Sequence, residues 1–280
     1  MKLWARDVML DLTHSHVMGI LNMTPDSFFD GGKNHVLPEV ITYVERMIDA
    51  GATIIDIGGE STRPYALKVS IEEELERVIP IIEGIAQRFS VWISIDTSKP
   101  EVMHEAAHSG AHMINDIRSL RSPGALAMVE RLGLPVCLVH MQGEPHNMQD
   151  NPFYYDVLND VEAFFIENIA RCEAVGIKKV QLILDPGFGF GKSIIHNYQL
   201  LGQLERLHHF GLPLLVGMSR KSMIFDLLSV SSLNSLNGSL ACAVIAALQG
   251  VHIFRVHDVK ETIEVLRIVE MMRAVNGRDM

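Results

Sequence analysis

The sequence predicts a single-domain α/β chain folded as a (β/α)8 TIM barrel, on three observations. Short β-branched, apolar runs recur eight times, and amphipathic stretches of helical period lie between them. The runs are apolar on both faces, as the strands of a parallel sheet covered on both sides are. The length, 280 residues, suits a barrel, which commonly has about 250. An open doubly wound sheet is the alternative arrangement of the same elements.

The strands are expected at 17–23 (VMGILNM), 53–59 (TIIDIGG), 91–97 (VWISIDT), 112–117 (HMINDI), 135–141 (PVCLVHM), 180–186 (VQLILDP), 213–219 (PLLVGMS) and 252–258 (HIFRVHD). Three of the intervening helices begin with a capping box, a short polar side chain followed three residues later by Glu. The pairs are Ser70 with Glu73, Ser98 with Glu101, and Asp258 with Glu261. Pro100 falls in the first turn, where it is tolerated. Gly51, Gly133 and Gly176 stand where helices are expected to end. Residues 1–16 form an N-terminal segment that precedes the barrel and covers its bottom, and the catalytic domain occupies 17–280.

The composition narrows the function. The chain is 48% hydrophobic and 21% charged, with a net charge of −10, which argues against a nucleic-acid partner. Its three cysteines are far apart and lack CxxC spacing, as in a reduced cytoplasmic protein. The N-terminus has no apolar signal segment. The longest apolar run, 240–248, is too short to span a bilayer. A cytoplasmic enzyme without a membrane partner is expected.

The stretch LILDPGFGFGKS (182–193) resembles a phosphate-binding loop, but Pro186 stands where that motif needs its first glycine. The alternating Gly187, Gly189 and Gly191 do not fit a dinucleotide fingerprint either. Lys192 therefore has no role that the motif assigns. His104, His108 and His112 lie four apart, but Gly110 is expected to end that helix first, so they read as surface rather than a metal stripe.

Barrel active sites are built at the C-terminal ends of the strands, and those ends carry the chain's most expensive groups to bury unpaired. Asp96, Asn115 and Asp185 are rich in acceptors and suit a flat heterocycle with several N–H groups. Arg63, Lys221, Arg255 and His257, with Asn22 and Thr62, suit an anion such as a phosphate or pyrophosphate, accompanied by magnesium.

Several motifs carry a family resemblance: GILNMTPDSFFDGG (19–32), DIGGESTRP (56–64), SIDTSKPEV (94–102), INDI (114–117), LILDPGFGFGKS, LLVGMSRKSMI (214–224) and RVHDV (255–259). In order and over nearly the whole chain, they resemble the dihydropteroate synthase family. The resemblance implies a homodimeric barrel of folate biosynthesis that is a sulfonamide target. Such an enzyme joins 6-hydroxymethyl-7,8-dihydropterin pyrophosphate to 4-aminobenzoate. It further implies that Asp96, Asn115 and Asp185 clamp the pterin, with Lys221 on its carbonyl side. Asn22 binds Mg2+ and pyrophosphate. Arg255 and His257 form the anion site, and Arg255 also lies against the pterin ring. Thr62 and Arg63 add diphosphate contacts, and Asp30 reaches the magnesium. Phe28, Pro64, Phe190 and Ser222 border the aminobenzoate. Two positions depart from the family pattern, Phe29 between Phe28 and Asp30, and Tyr65 after Pro64. Both lie in the loops of the second-substrate site and leave the pterin clamp untouched.

Three other readings remain open to test. Lys221 at a barrel mouth suits a Schiff-base lyase. A corrinoid-dependent methyltetrahydrofolate methyltransferase shares the pterin clamp but lacks a pyrophosphate site. A non-catalytic binding barrel would not need the anion-binding residues.

Overall fold

The computed structural model of the chain describes residues 1–24, 36–61 and 68–277. A hairpin of β1 (Lys2–Ala5) and β2 (Val8–Asp11) comes first. The barrel strands follow as β3 (His16–Asn22), β4 (Ile54–Gly58), β5 (Trp92–Asp96), β6 (Met113–Asp116), β7 (Val136–Val139), β8 (Leu182–Asp185), β9 (Leu215–Val216) and β10 (Ile253–Val256). Every one overlaps a run expected from the sequence. The helices alternating with them are α1 (Val36–Asp49), α2 (Ile71–Ala86), α3 (Pro100–Ser109), α4 (Ala125–Leu132), α5 (Val157–Ala174), α6 (Ile194–Leu201), α7 (Ser222–Leu228), α8 (Leu236–Leu248) and α9 (Val259–Val275).

The eight strands run in the order β8-β7-β6-β5-β4-β3-β10-β9. A parallel bridge between Leu184 and Leu214 brings β8 back to β9 and closes the sheet. Side chains alternate along each strand between the barrel interior and the helix layer. Outward residues such as Leu21, Ile55, Ile57, Ile93, Ile95, Leu138, Leu184 and Phe254 form the large core beneath the helices. Inward residues at the strand starts, Met18, Ile54, Trp92, Met113, Cys137, Ile183, Leu215 and Ile253, form a second apolar cluster with Leu3, Ala5, Leu10 and Leu12 of the hairpin. The hairpin thus packs on the strand starts as a two-stranded plug. Arg6, at the turn with φ 56°, secures the plug by donating to the Ala107 carbonyl at 2.6 Å.

None of the three expected capping boxes is complete. Ser70 accepts from the Glu73 N–H at 3.1 Å, while the Glu73 carboxylate turns to Arg77. Ser98 is not the cap of α3, since Lys99 holds that position; the Ser98 hydroxyl donates to Asp116 instead. Asp258 stands at the N-cap of α9 without a side-chain cap bond, because its carboxylate receives Arg220 at Oδ2, 3.0 Å from Nε. A bond to a charged group is worth about 1.5–3 kcal/mol against roughly 1 for a cap, so the tertiary partner wins.

Gly110 ends α3 at φ 120°. His112 turns inward and stacks on Trp92 with ring centroids 5.6 Å apart. Among the described residues no group of His, Cys, Asp and Glu is placed to hold a metal, and no helix is long and apolar enough to cross a membrane. All three cysteines are free and buried. Ile268, Met271, Met272 and Val275 form an exposed apolar stripe along α9, beside the exposed Ile245 and Leu248 of α8.

Candidate active site

Two residues above the apolar floor, on the same inward face, stand Asp56, Ser94, Asn115, Asp185 and Arg255, and Asn22 and Asp96 lie one layer higher. A strand that alternates inward and outward can place apolar groups low and polar groups high on one face. Here Asp56, Asp96, Asn115 and Asp185 are all nearly or fully buried.

The polar groups meet each other. Arg255 reaches across the barrel, donating from Nε to Asp56 Oδ2 at 2.6 Å and from Nη2 to Asp96 Oδ2 at 2.8 Å. Asn115 Nδ2 donates to the same Asp56 oxygen at 3.2 Å. Its own Oδ1 is buried without a partner, as are Asp56 Oδ1 and Ser94 Oγ. Buried acceptors in that condition are costly and suit a ligand that brings donors. Gly217 leaves room beside Arg255, whose Cβ and Cδ lie 3.7 and 3.8 Å from where a methyl group there would project.

Burial pushes the Asp96 carboxyl up to about 7, with Arg255 pulling the other way. Burial also raises Asp185, against Lys221 and the Gly187 N–H that donates to its Oδ1 at 2.7 Å. Lys221 is brought down to about 8 by burial, opposed by Asp185. Burial works against the Arg255 charge as well, but Asp56 and Asp96 outweigh it and the guanidinium stays protonated. The site therefore holds a fixed cation beside carboxyls and a lysine that titrate nearer neutrality.

The loop after β8 explains its glycines. A Cβ at Gly187 would lie 1.8 Å from the His140 carbonyl oxygen, and one at Gly191 would lie 2.4 Å from that of Gln142. The loop is laid backbone against backbone on the end of β7, with both glycines at positive φ. Its rim faces the site: Lys221 Nζ donates to the Phe188 carbonyl and sits 4.3 Å from the centre of the Phe190 ring. Nothing in this geometry is a phosphate loop, and Lys192 is directed inward, away from the mouth.

Of the residues expected from the sequence, Asp96, Asn115, Asp185, Lys221 and Arg255 converge. His257 lies beside them, its Nδ1 3.1 Å from Ser219 Oγ. Asn22 ends β3 at the rim, with its Oδ1 3.7 Å from the position a Cβ would take at Gly58. Phe190 is half-buried under Lys221, and Ser222 is exposed at the first turn of α7. Phe28, Asp30, Thr62, Arg63 and Pro64 lie outside the described residues, as do Phe29 and Tyr65. The residue the sequence reading undervalued is Asp56, the carboxylate joining Arg255 to Asn115. Its signal was a carboxylate between two isoleucines in an otherwise apolar strand.

A barrel mouth with buried, donor-seeking acceptors on one side and a fixed cation on the other defines an enzyme that grips a nitrogen-rich heterocycle beside an anion. A model of the pterin-binding enzyme family matches residues 18–257. The dihydropteroate synthase of Escherichia coli strain K12 is 65% identical over 270 residues, 96% of each chain. A crystal structure of the Yersinia pestis dihydropteroate synthase with a sulfonamide drug complex superposes with a TM-score of 0.94 at 60% identity, covering 98% of this chain and 100% of that one. The Xanthomonas albilineans enzyme in complex with 7,8-dihydropteroate gives 0.89 at 42% identity, covering 98% and 99%. The chain belongs to the pterin-binding enzymes and, within them, to the dihydropteroate synthases, which are transferases.

Proposed function

We propose that the chain joins 6-hydroxymethyl-7,8-dihydropterin pyrophosphate to 4-aminobenzoate with the residues of the barrel mouth in the following roles. Asp96, Asn115 and Asp185 accept the pterin's N–H groups, and Lys221 donates to its carbonyl. Arg255 lies against the ring and, with His257, Thr62 and Arg63, takes the pyrophosphate. Phe28, Pro64, Phe190 and Ser222 border the aminobenzoate, with Ser222 in the first turn of α7, where free N–H groups favour a carboxylate. The observation that carries the reading is the convergence of buried Asp56, Asp96, Asn115 and Asp185 on a doubly paired Arg255, with Asp56 Oδ1 and Asn115 Oδ1 left without a partner.

As the methylene carbon–oxygen bond breaks, its electron pair leaves on pyrophosphate, and cationic side chains stabilise that growing charge. The pterin ring supplies electron density to the carbon, and the surrounding carboxylates stabilise the cationic ring. The neutral aryl amine then forms the carbon–nitrogen bond and sheds its proton, so no strong base and no covalent enzyme intermediate are required. Magnesium fits this site as an ion carried by the substrate. The Asn22 carboxamide offers a single hard oxygen, Asp30 is the other candidate, and magnesium commonly takes few protein ligands and completes its shell with phosphates and water. When bound it supplies charge neutralisation at the leaving group.

The exposed stripe on α9 and α8 supports a homodimer. Free buried thiols support a cytoplasmic setting. Residues 1–16 serve as the base plug of a catalytic barrel spanning 17–280. Sulfonamides, which resemble aminobenzoate, compete at the second site. The test is pyrophosphate release with both substrates and with each omitted in turn. Release that depends on aminobenzoate is expected; release indifferent to it sinks the reading. Borohydride trapping of a substrate on Lys221 would instead favour a Schiff-base lyase.

A further inference from the structure

Lys192 takes no part in the proposed reaction, yet it is only 3% exposed. Its Nζ lies 2.8 Å from His140 Nδ1, 2.9 Å from the Gly187 carbonyl and 3.2 Å from the Phe190 carbonyl, with the His140 carbonyl at 3.5 Å. Three polar atoms thus stand close around its N–H donors. Burial pushes Lys192 well below the ordinary lysine range, with Asp185 opposing, and charged or neutral it donates to the loop carbonyls while His140 Nδ1 pairs with it. Burial and the neighbouring Lys192 both hold that imidazole well below its ordinary pKa. The His140 ring is in turn fixed edge-on by Phe164, with centroids 4.9 Å apart.

The opposite side of the same loop carries the site. The Gly187 N–H donates to Asp185, the Phe188 carbonyl accepts from Lys221, and the Phe190 ring lies under the Lys221 ammonium. The two inward carbonyls that Lys192 gathers, those of Gly187 and Phe190, bracket the Phe188 carbonyl that Lys221 uses. A shift of one set moves the other.

We infer that Lys192 is a positioning residue: with His140 it holds the loop after β8 in the one form that sets Lys221 and Phe190 between the pterin and aminobenzoate sites. The inference rests on the roles proposed above for Lys221 and Phe190. This lysine thus donates to backbone carbonyls where the lysine of a phosphate loop would meet phosphate.

Lys192→Met keeps the length of the side chain and removes the donors. Its kcat/KM for aminobenzoate is expected to fall roughly tenfold, the scale of leaving one buried acceptor unpaired, chiefly through KM. Amide exchange in 187–191 should accelerate while that of β5 and β6 stays unchanged. In a Phe190→Ala background the same substitution should cost much less, because both act through one loop. His140→Asn places a carboxamide oxygen near the Nδ1 position and should stay close to wild type, whereas His140→Leu removes the acceptor and should match Lys192→Met. Losses from Lys192→Met and Phe190→Ala that multiply, or His140 variants that behave alike, overturn the inference. If Lys192→Met fails to fold, the two His140 variants decide. If the wild type shows no aminobenzoate-dependent turnover, the proposed reaction fails, and loop exchange alone still decides whether Lys192 holds the loop.

Discussion

Asp96 shows how a single carboxyl can be prepared for a ligand and still be occupied without one. In this structure its Oδ2 receives the Arg255 guanidinium at 2.8 Å, so under the proposed role a pterin shares or displaces that contact. Asp56 keeps Arg255 in place from the other side at 2.6 Å. Burial raises the Asp96 carboxyl to about 7. It accepts two parallel N–H bonds only when ionised, so lowering the pH through 7 removes the acceptor and raising it restores it. The affinity of a dihydropterin ligand, measured by calorimetry between pH 5.5 and 8.5, should therefore weaken on the acid side. Asp96→Asn should lower affinity by roughly 10- to 100-fold, the worth of a charge-assisted bond, and flatten the acid limb. An acid limb unchanged in Asp96→Asn would assign the titration to another group, Asp185 first.

Among the elements, the loop after β8 is the most tightly determined. Gly187 has φ 70° and would place a methyl group 1.8 Å from the His140 carbonyl oxygen. Gly133, which caps α4, has φ 64° but nothing within 4 Å of such a methyl. The two positions separate backbone strain from collision. Gly133→Ala should cost only the left-handed strain, about 1–2 kcal/mol. Gly187→Ala should cost more, displace the loop, and reduce aminobenzoate turnover as well as the melting temperature. Thermal unfolding and steady-state kinetics on the pair check this; equal effects would mean that the loop can back away from β7. The chain leaving β4 is held by the same economy of buried groups. Lys99 donates to both Glu60 and the fully buried Glu74, and Arg77 holds the Gly59 carbonyl at 2.7 Å.

At the scale of the whole molecule, the barrel stacks a hairpin plug, an apolar floor and a polar mouth along one axis. On the outer surface, α9 carries a run of exposed apolar side chains. The stripe of Ile268, Met271, Met272 and Val275 repeats at helical spacing and is exposed at every position. Ile268→Glu should convert a dimer to a monomer in sedimentation velocity; a wild type that sediments as a monomer would remove the homodimer from the proposal. The eight strands were legible in the sequence because strands buried on both faces leave near-continuous apolar runs. The mouth residues were legible because a polar group at the end of such a run is costly without a partner. Periodicity and local spacing reach only a few residues, so they determined the strand–helix alternation and the polar strand ends that make the mouth. Only the tertiary structure decided which partner each polar side chain takes. Ser98 left its cap for Asp116, Asp258 left its cap for Arg220, Arg255 chose Asp56 across the barrel, and Lys192 turned inward to His140. Those partners lie between 18 and 199 residues apart in sequence, and a buried charge goes to whichever partner the closed barrel brings within reach.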